Sequence, residues 1–397
     1  MRLNVNKTNI ISFVFFLSFV ISMYIWIGWE NRSALFNIAF AFFLLMWTVQ
    51  RKIPLRFTRR NTIAFILLLL PQLILIHNLK LICSSIVLFY VVFVDDDLKV
   101  VILEKITKWF AYLLVPGIII YLLLKFVKLP SLGIIYNGNN LAENYGVCEN
   151  YIFYVQSYFG NYIDRFNGPF LEPGHLGMMA AFLLFVNKFK VKSKPYLWIL
   201  IIAILLSLSL AGYILLFAAL LMTLFYNEKM KIRYIIILCG ILLGGYLISA
   251  NYNGGNNFVN NFILTRLEYD EQSGNFAGNN RVFGRIPAYY EAMYNDYGLL
   301  LTGYSAEVVN NLAKSGSRGT GYKMWMVKYG IIGTILAFLF YFYYAYNSKA
   351  QKFSFLLLLF VIAMFWQRCY PFWSSWIICF MYGNVAEERA VLENRNT

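Results

Sequence analysis

The chain has 397 residues, of which 60% are hydrophobic and 13% charged, and it carries a formal net charge of +15. Its apolar residues come in blocks of bilayer length rather than in amphipathic patterns, which leaves no evident soluble domain and points to a polytopic membrane protein. The basic residues stand in short clusters between those blocks, the pattern of membrane-protein loops, and this speaks against nucleic acid as a partner.

Arg2 and Lys7 precede the first apolar run, 8 to 28, and no small-residue cleavage site follows Trp26, so the run is expected to be a retained span. After the second span, 34 to 50, the stretch 51 to 60 holds Arg51, Lys52, Arg56, Arg59 and Arg60 and no acid. The positive-inside rule places it, and the N-terminus, in the cytoplasm. The block 61 to 94 is expected to form two short spans meeting at His77-Asn78-Leu79-Lys80. Asp95-Asp96-Asp97 contains a DxD spacing, but at the cytoplasmic end of a span it reads as a solvated acidic turn.

Span five, 107 to 125, leads to a polar stretch, 126 to 172, far longer than an ordinary connection and therefore expected to be a functional exterior loop. Span six, 174 to 187, returns to Lys188, Lys190, Lys192 and Lys194. The apolar block 195 to 226 lies between this cluster and Lys229, Lys231 and Arg233, so parity requires a reversal near Ser207, Ser209 and Gly212. Span nine, 232 to 250, opens a second exterior loop, 251 to 320, and 321 to 346 returns to Lys349 and Lys352. The last block, 353 to 382, is broken at Arg368-Cys369-Tyr370-Pro371. The expectation is an all-α fold of about twelve spans, or eleven, with both termini inside.

Predicted span interiors are almost free of charge, Lys328 being the main exception. The exterior loops instead hold arginines that the positive-inside bias disfavours: Arg165 in the first, and Arg266, Arg281, Arg285 and Arg318 in the second. Guanidinium forks suit phosphate or pyrophosphate, such as a lipid-linked substrate presents at a membrane surface, although loop acids offer them a purely structural alternative. Pro287 is expected to open a short interfacial helix over 286 to 297 whose aromatic side includes Tyr289, which stacks on sugar or anchors to headgroups.

The densest segment is RFNGPFLEPGHLG, 165 to 177, just ahead of span six. Glu172 there is either a helix N-terminal acid or a general base or orienter of Arg165, and His175 either an interfacial histidine or a participant. The five cysteines show no CxxC spacing and no phosphate-loop pattern occurs, so neither a metal nor a cofactor is expected.

Together, RFNGPFLEPGHLG, the segment SLSLAGY at 207 to 213, and the run NNRVFGRIPAYYEAMYNDYGLLLTGYS leading into GTGYKMWMVKYGIIG resemble the Wzy-type O-antigen and capsular polysaccharide polymerases over roughly 160 to 335. The resemblance implies an all-helical glycosyltransferase architecture of the C type (GT-C), acting on undecaprenyl-pyrophosphate-linked oligosaccharides at the outer face of the bacterial cytoplasmic membrane. It implies membrane lipid as a partner, and a chain-length regulator protein as a further one. By position its functional arginines fall on Arg165, Arg281 and Arg285, with Glu172 as the best-placed base. Arg266, Arg318, Tyr289, Tyr304, Lys328 and His175 are candidate substrate-binding residues. O-antigen ligases share the pattern but carry a histidine in the second large loop, where this chain has none, its histidines being His77 and His175. Flippases share the span count but connect spans by short loops.

Overall fold

The computed structural model describes residues 5–29, 32–50, 53–75, 80–136, 147–157, 165–227, 240, 244, 247–257, 260, 264–267, 269–270, 275–276, 282–319 and 321–396. Most of the expected span 232 to 250, the basic residues Lys229, Lys231 and Arg233, and the turn at His77, Asn78 and Leu79 lie outside the described residues.

The chain is mainly helical. Its helices are α1 (Val5–Ser22), α2 (Arg32–Val49), α3 (Arg59–Leu75), α4 (Lys80–Phe93), α5 (Asp96–Leu123), α6 (Pro173–Val186), α7 (Leu197–Ser207) and α8 (Leu210–Tyr226). Three short helices follow in the second long loop, α9 (Ile286–Ala292), α10 (Tyr297–Thr302) and α11 (Ala306–Lys314), and then α12 (Tyr322–Tyr346), α13 (Gln351–Gln367) and α14 (Ser374–Asn396). Among the described residues, α2, α5 and α12 are long and apolar enough to cross a membrane, and several of the others are apolar but shorter. The break expected at 368 to 371 separates α13 from α14, and Pro287 stands in the first turn of α9.

At α6 a short helix lies in the middle of the bundle. All fourteen residues from Pro173 to Val186 are buried, as befits a helix that is apolar all round. At 1.5 Å per residue it is about 21 Å long, short of the roughly 30 Å hydrocarbon core. It is enclosed by α7, α8, α13 and α14. Irregular backbone is tolerated at its ends because protein, not lipid, surrounds them.

One end of the bundle is tied by charge. Arg56 and Lys99 both pair with Asp96, at 2.8 and 3.0 Å, and Arg60 pairs with Glu388 at 2.7 Å. Lys188 pairs with Glu387 and Arg389 with Asp97. The acidic run at 95 to 97 is exposed at Asp97, as a solvated turn would be, but it is also ion-paired. Asp95 caps α5 by accepting from the Asp97 backbone N–H, and its two neighbours hold cations from distant parts of the chain. Positive loops alone would repel one another, and the acids of α5 and α14 neutralise them.

The opposite end carries the long connections. A Cβ at Gly168 would touch Leu114, eighteen residues along α5 from Asp96 and so about 27 Å from the ion-paired layer. The first connection is not purely helical: β1 (Ile134–Tyr136), β2 (Val147–Asn150) and β3 (Val155–Ser157) form an antiparallel sheet, with Cys148 opposite Ile135 and Ser157. This corrects the all-α expectation there. In β2, Cys148 and Asn150 point inward, and Cys148 packs with Trp29, Val155 and Leu171.

Burial pushes the Cys148 thiol up from 9.0 to about 12, which lowers its thiolate share near neutral pH by about a thousandfold. A membrane-impermeant maleimide at pH 8 is therefore expected to leave Cys148 unmodified in native protein and to label it after SDS unfolding. Rapid labelling of the native form would show that the sheet does not cover it.

Candidate functional site

The segment 165 to 172 is the hinge of the site. It was expected in an exterior loop, yet every residue from Arg165 to Leu171 is buried. Its backbone polar groups are met by three separate parts of the chain. The Phe166 N–H donates to the Leu206 carbonyl at 3.0 Å, the Val155 N–H to the Gly168 carbonyl at 3.0 Å, and the Trp26 N–H to the Pro169 carbonyl at 3.1 Å. The Asn167 side-chain amide donates to the Phe170 carbonyl at 2.6 Å. A buried irregular segment stays folded only under such satisfaction.

Arg165 is 4% exposed, and its Nε donates to the Ser207 carbonyl at 3.1 Å. That carbonyl is available because the helix breaks there. Leu208 takes the left-handed conformation (φ 45, ψ 38), ending α7, and Ser209 starts α8 with its side chain accepting from the Gly212 N–H. The break falls where a reversal was expected. Gly177 of α6 and Gly212 of α8 meet there face to face, a Cβ on Gly177 lying 3.1 Å from the Gly212 Cα. The conjunction of RFNGPFLEPGHLG with SLSLAGY is thus a spatial one.

Glu172 does not reach Arg165. It stands at the N-cap position of α6 without capping it, and its carboxylate pairs with Arg368, whose partner lies 196 residues away in sequence. Arg368 also meets His175 Nε2 through Nη1 at 2.9 Å. Guanidinium can only donate, so this bond assigns the Nε2 lone pair as acceptor and makes His175 a neutral imidazole with its proton on Nδ1. A Cβ on Gly174 would lie 2.9 Å from the Arg368 Nη2, so a larger residue there would press on the guanidinium where it lies across the first turn of α6.

Aromatic rings close over this cluster. His175 packs with Tyr24, Tyr370 and Trp373 at centroid distances of 6.0, 5.8 and 5.3 Å, and Tyr370 stacks on Trp373 at 4.0 Å and 5°. Burial pushes the Tyr370 phenol up to about 12 despite the opposing pull of Arg368. It therefore remains a protonated donor throughout the physiological range.

The second long loop contributes a separate unit. Ile286, Met293, Leu312 and Val327 make its small core. Tyr289 and Tyr304 serve that core: their rings meet at 5.1 Å and the Tyr304 hydroxyl donates to the Tyr289 carbonyl at 3.0 Å. Arg285 precedes α9, is exposed, and its backbone N–H donates to Ser317 Oγ at 3.0 Å. Arg318 pairs through its backbone with Phe283; Arg266 lies in a short helical turn, Leu264–Leu267. Arg281 lies outside the described residues. Lys328 is exposed on α12, its ammonium 4.9 Å from the Tyr329 ring.

Among the described residues no hydrogen bond, ion pair or ring contact joins Arg285, Tyr289, Tyr304 or Lys328 to Glu172, His175 and Arg368. The unit does share their end of the bundle. Tyr290 meets Tyr322 edge-on at 5.8 Å, and Tyr322 stacks on Trp366 at 4.2 Å, two residues before Arg368. The sequence marks Arg368 as part of an exterior turn and, with Lys125, as a charge near a span end, without giving it a partner. Its signal was a cation stranded in a break within an apolar block, a position that asks for a partner.

Among the described residues no three His, Cys, Asp or Glu side chains gather as a metal site would require. Chemically, the first turn of α6 offers a buried guanidinium, a carboxylate and a neutral imidazole, and a second buried guanidinium, Arg165, is held separately at the α7–α8 break. Compared with known protein families, curated proteins and solved structures, the chain shows no match.

Proposed function

We propose that this chain is a membrane glycosyltransferase that joins undecaprenyl-pyrophosphate-linked oligosaccharide repeats into O-antigen or capsular polysaccharide on the outer face of the bacterial cytoplasmic membrane. Both termini then lie in the cytoplasm, with the spans, about twelve, in the GT-C arrangement. The observation that carries the reading is the burial of Arg165 and of the Arg368–Glu172–His175 cluster around the start of α6, at the end of the bundle away from the ion-paired layer. Two buried cations at a membrane-protein end, held by backbone and carboxylate rather than exposed, suit a dianionic headgroup.

In the reaction, an acceptor sugar hydroxyl attacks the anomeric carbon of the growing chain. The bond from that carbon to the pyrophosphate oxygen breaks, and lipid pyrophosphate leaves with the electron pair. Arg165 and Arg368 stabilise the charge that builds on the departing oxygen, from positions fixed before the reaction begins. Glu172 takes the hydroxyl proton, and His175 holds Arg368 in its orientation. The exposed Arg285 adds positive charge to the same end.

The test is the gel profile of surface polysaccharide in a strain lacking the gene, complemented with wild type or Arg165→Ala at matched protein levels. The expected result is a ladder for wild type and its collapse to single repeat units for the variant. Complete loss of surface repeats, with lipid-linked repeats accumulating, would sink the polymerase reading and favour a flippase or a ligase.

A further inference from the structure

Next to the arginine cluster lies a cavity of about 200 Å³. Four helices enclose it, and each gives it at least one small polar side chain: Ser18 and Ser22 from α1, Ser33 and Asn37 from α2, Ser84 from α4, and Ser374 from α14. Serines in membrane helices usually bring backbones together. Here they do both: Ser18 and Ser374 bond across α1 and α14, and Asn37 reaches Ser84 across α2 and α4, while the same side chains line a space.

Tyr24 and Trp373 belong both to this wall and to the ring cage of His175. The cavity therefore adjoins the Arg368–Glu172–His175 cluster through a shared pair of aromatic rings. Its lining among the described residues carries no charge.

That chemistry selects its occupant. Without a cation, the cavity does not attract phosphate, and its wall is mixed, the small polar side chains facing Ile21, Val87, Leu88 and three aromatic rings, which favours a guest with both hydroxyl groups and an apolar face over a plain hydrocarbon tail. Its volume falls below the roughly 300–1,000 Å³ of drug-sized ligand sites and corresponds to about seven waters at roughly 30 Å³ each, or to one hexose ring. A hexose is neutral and polyhydroxylated, and its C–H face packs on aromatic rings such as Trp373 and Tyr24. Part of the wall's hydrogen-bonding capacity is already used: Ser18 donates to Ser374 at 3.2 Å and Ser374 to the Ser18 carbonyl at 3.1 Å, Ser22 donates to the Phe19 carbonyl at 2.7 Å and accepts from the Ser375 N–H at 3.2 Å, and Asn37 donates to Ser84 at 3.5 Å. Asn37 retains its carbonyl and one amide hydrogen, so an acceptor and a donor remain there for a ligand.

The geometry points to this cavity as a monosaccharide subsite, holding the sugar next to the pyrophosphate while the arginines hold the pyrophosphate itself. The inference rests on the glycosyltransferase reading and adds to it the residues that would set sugar specificity.

Purified full-length protein in detergent is titrated with undecaprenyl pyrophosphate, and with the same lipid bearing one glucose, galactose or N-acetylglucosamine. Wild type is expected to bind at least one sugar-bearing lipid about tenfold more tightly than the sugar-free lipid. Asn37→Leu and Ser84→Leu, which fill the cavity, are expected to erase that preference and leave affinity for the sugar-free lipid unchanged. Asn37→Ala and Ser84→Ala, which keep the space, carry the test if the leucine variants do not fold, and they are expected to reduce the preference. Equal binding of all four lipids by wild type, or a preference that survives in the variants, would overturn the subsite and mean that the cavity holds water only. Failure of wild type to bind the sugar-free lipid, or binding indifferent to Arg368→Gln, would instead overturn the glycosyltransferase reading and the subsite with it.

Discussion

On the polymerase proposal, Arg368→Gln is expected to reduce polymer formation by about 10²- to 10³-fold, the scale of losing one preorganised donor to a charge that develops in the transition state. Stability also falls. The substitution leaves Glu172 with its side chain 17% exposed and without its cation, and takes from His175 the donor to Nε2. Breaking a buried pair from one side costs about 3–5 kcal/mol, and partial exposure of Glu172 brings the expected figure to about 2–4 kcal/mol. Arg368→Lys separates charge from shape, because an ammonium lacks the planar fork that serves a carboxylate and an imidazole at once. It is expected to recover part of the stability and little of the activity.

A double-mutant cycle apportions the roles. If Glu172 only holds Arg368, Glu172→Gln alone costs less activity than Arg368→Gln, and the pair of changes costs no more than the larger of the two. If Glu172 also takes the proton, Glu172→Gln alone is as damaging as the loss of Arg368. Polymer profiles and thermal melts at matched protein levels read both quantities. Wild-type ladders from Arg368→Gln would remove the cluster from the mechanism.

The largest effect on folding is expected at Gly330. Inside α12 this residue has φ 61 and ψ −165, a region of backbone space that is essentially reserved for glycine. A Cβ there would lie 2.4 Å from the Leu301 carbonyl oxygen. Gly303, with φ 78 and ψ −177, faces it: its own Cβ would lie 2.7 Å from the Lys328 carbonyl carbon. The kink interrupts the helical ladder, and the Tyr304 N–H donates to the Val327 carbonyl at 2.8 Å. Two glycines thus join the second-loop unit to α12.

Gly330→Val adds backbone strain of about 1–3 kcal/mol to overpacking of about 1–3 kcal/mol. Together these are a large share of the 5–15 kcal/mol that holds an ordinary domain. The purified variant is expected to melt at least about 10 °C lower, or not to accumulate in the membrane, whereas Gly316→Ala, where a Cβ meets nothing nearby though φ is +80, is expected to cost about 1 kcal/mol. Equal melting of Gly330→Val and wild type would mean that this joint is absent.

Much of the architecture was legible in the sequence because a membrane constrains the chain locally. Apolar blocks must be helices, since backbone groups in lipid have no other partner within the segment. The breaks at Leu208 and at Arg368 to Trp373, the helix beginning at Ile286, and the weight of RFNGPFLEPGHLG all show as interruptions in apolar patterning or as clusters of glycine, proline and charge.

Tertiary structure decided what those signals do. That Asp96 and Asp97 also hold Arg56 and Arg389 could not be read locally, because those two cations lie far off in the chain. Glu172 looked like a partner for Arg165, its neighbour in sequence, yet the pairing goes to Arg368 from another helix break. Tyr289 and Tyr304, which the sequence offers as candidates for ligand or headgroup contact, also pack on each other, a contact that their separation in the chain does not display. The sheet of β1 to β3 was missed because strands of three or four residues carry too short an alternation to be read. A sequence displays which segments must avoid water, since that depends on each residue's own chemistry. Which arginine meets which carboxylate depends on where helix ends come together, and only the packed bundle sets that.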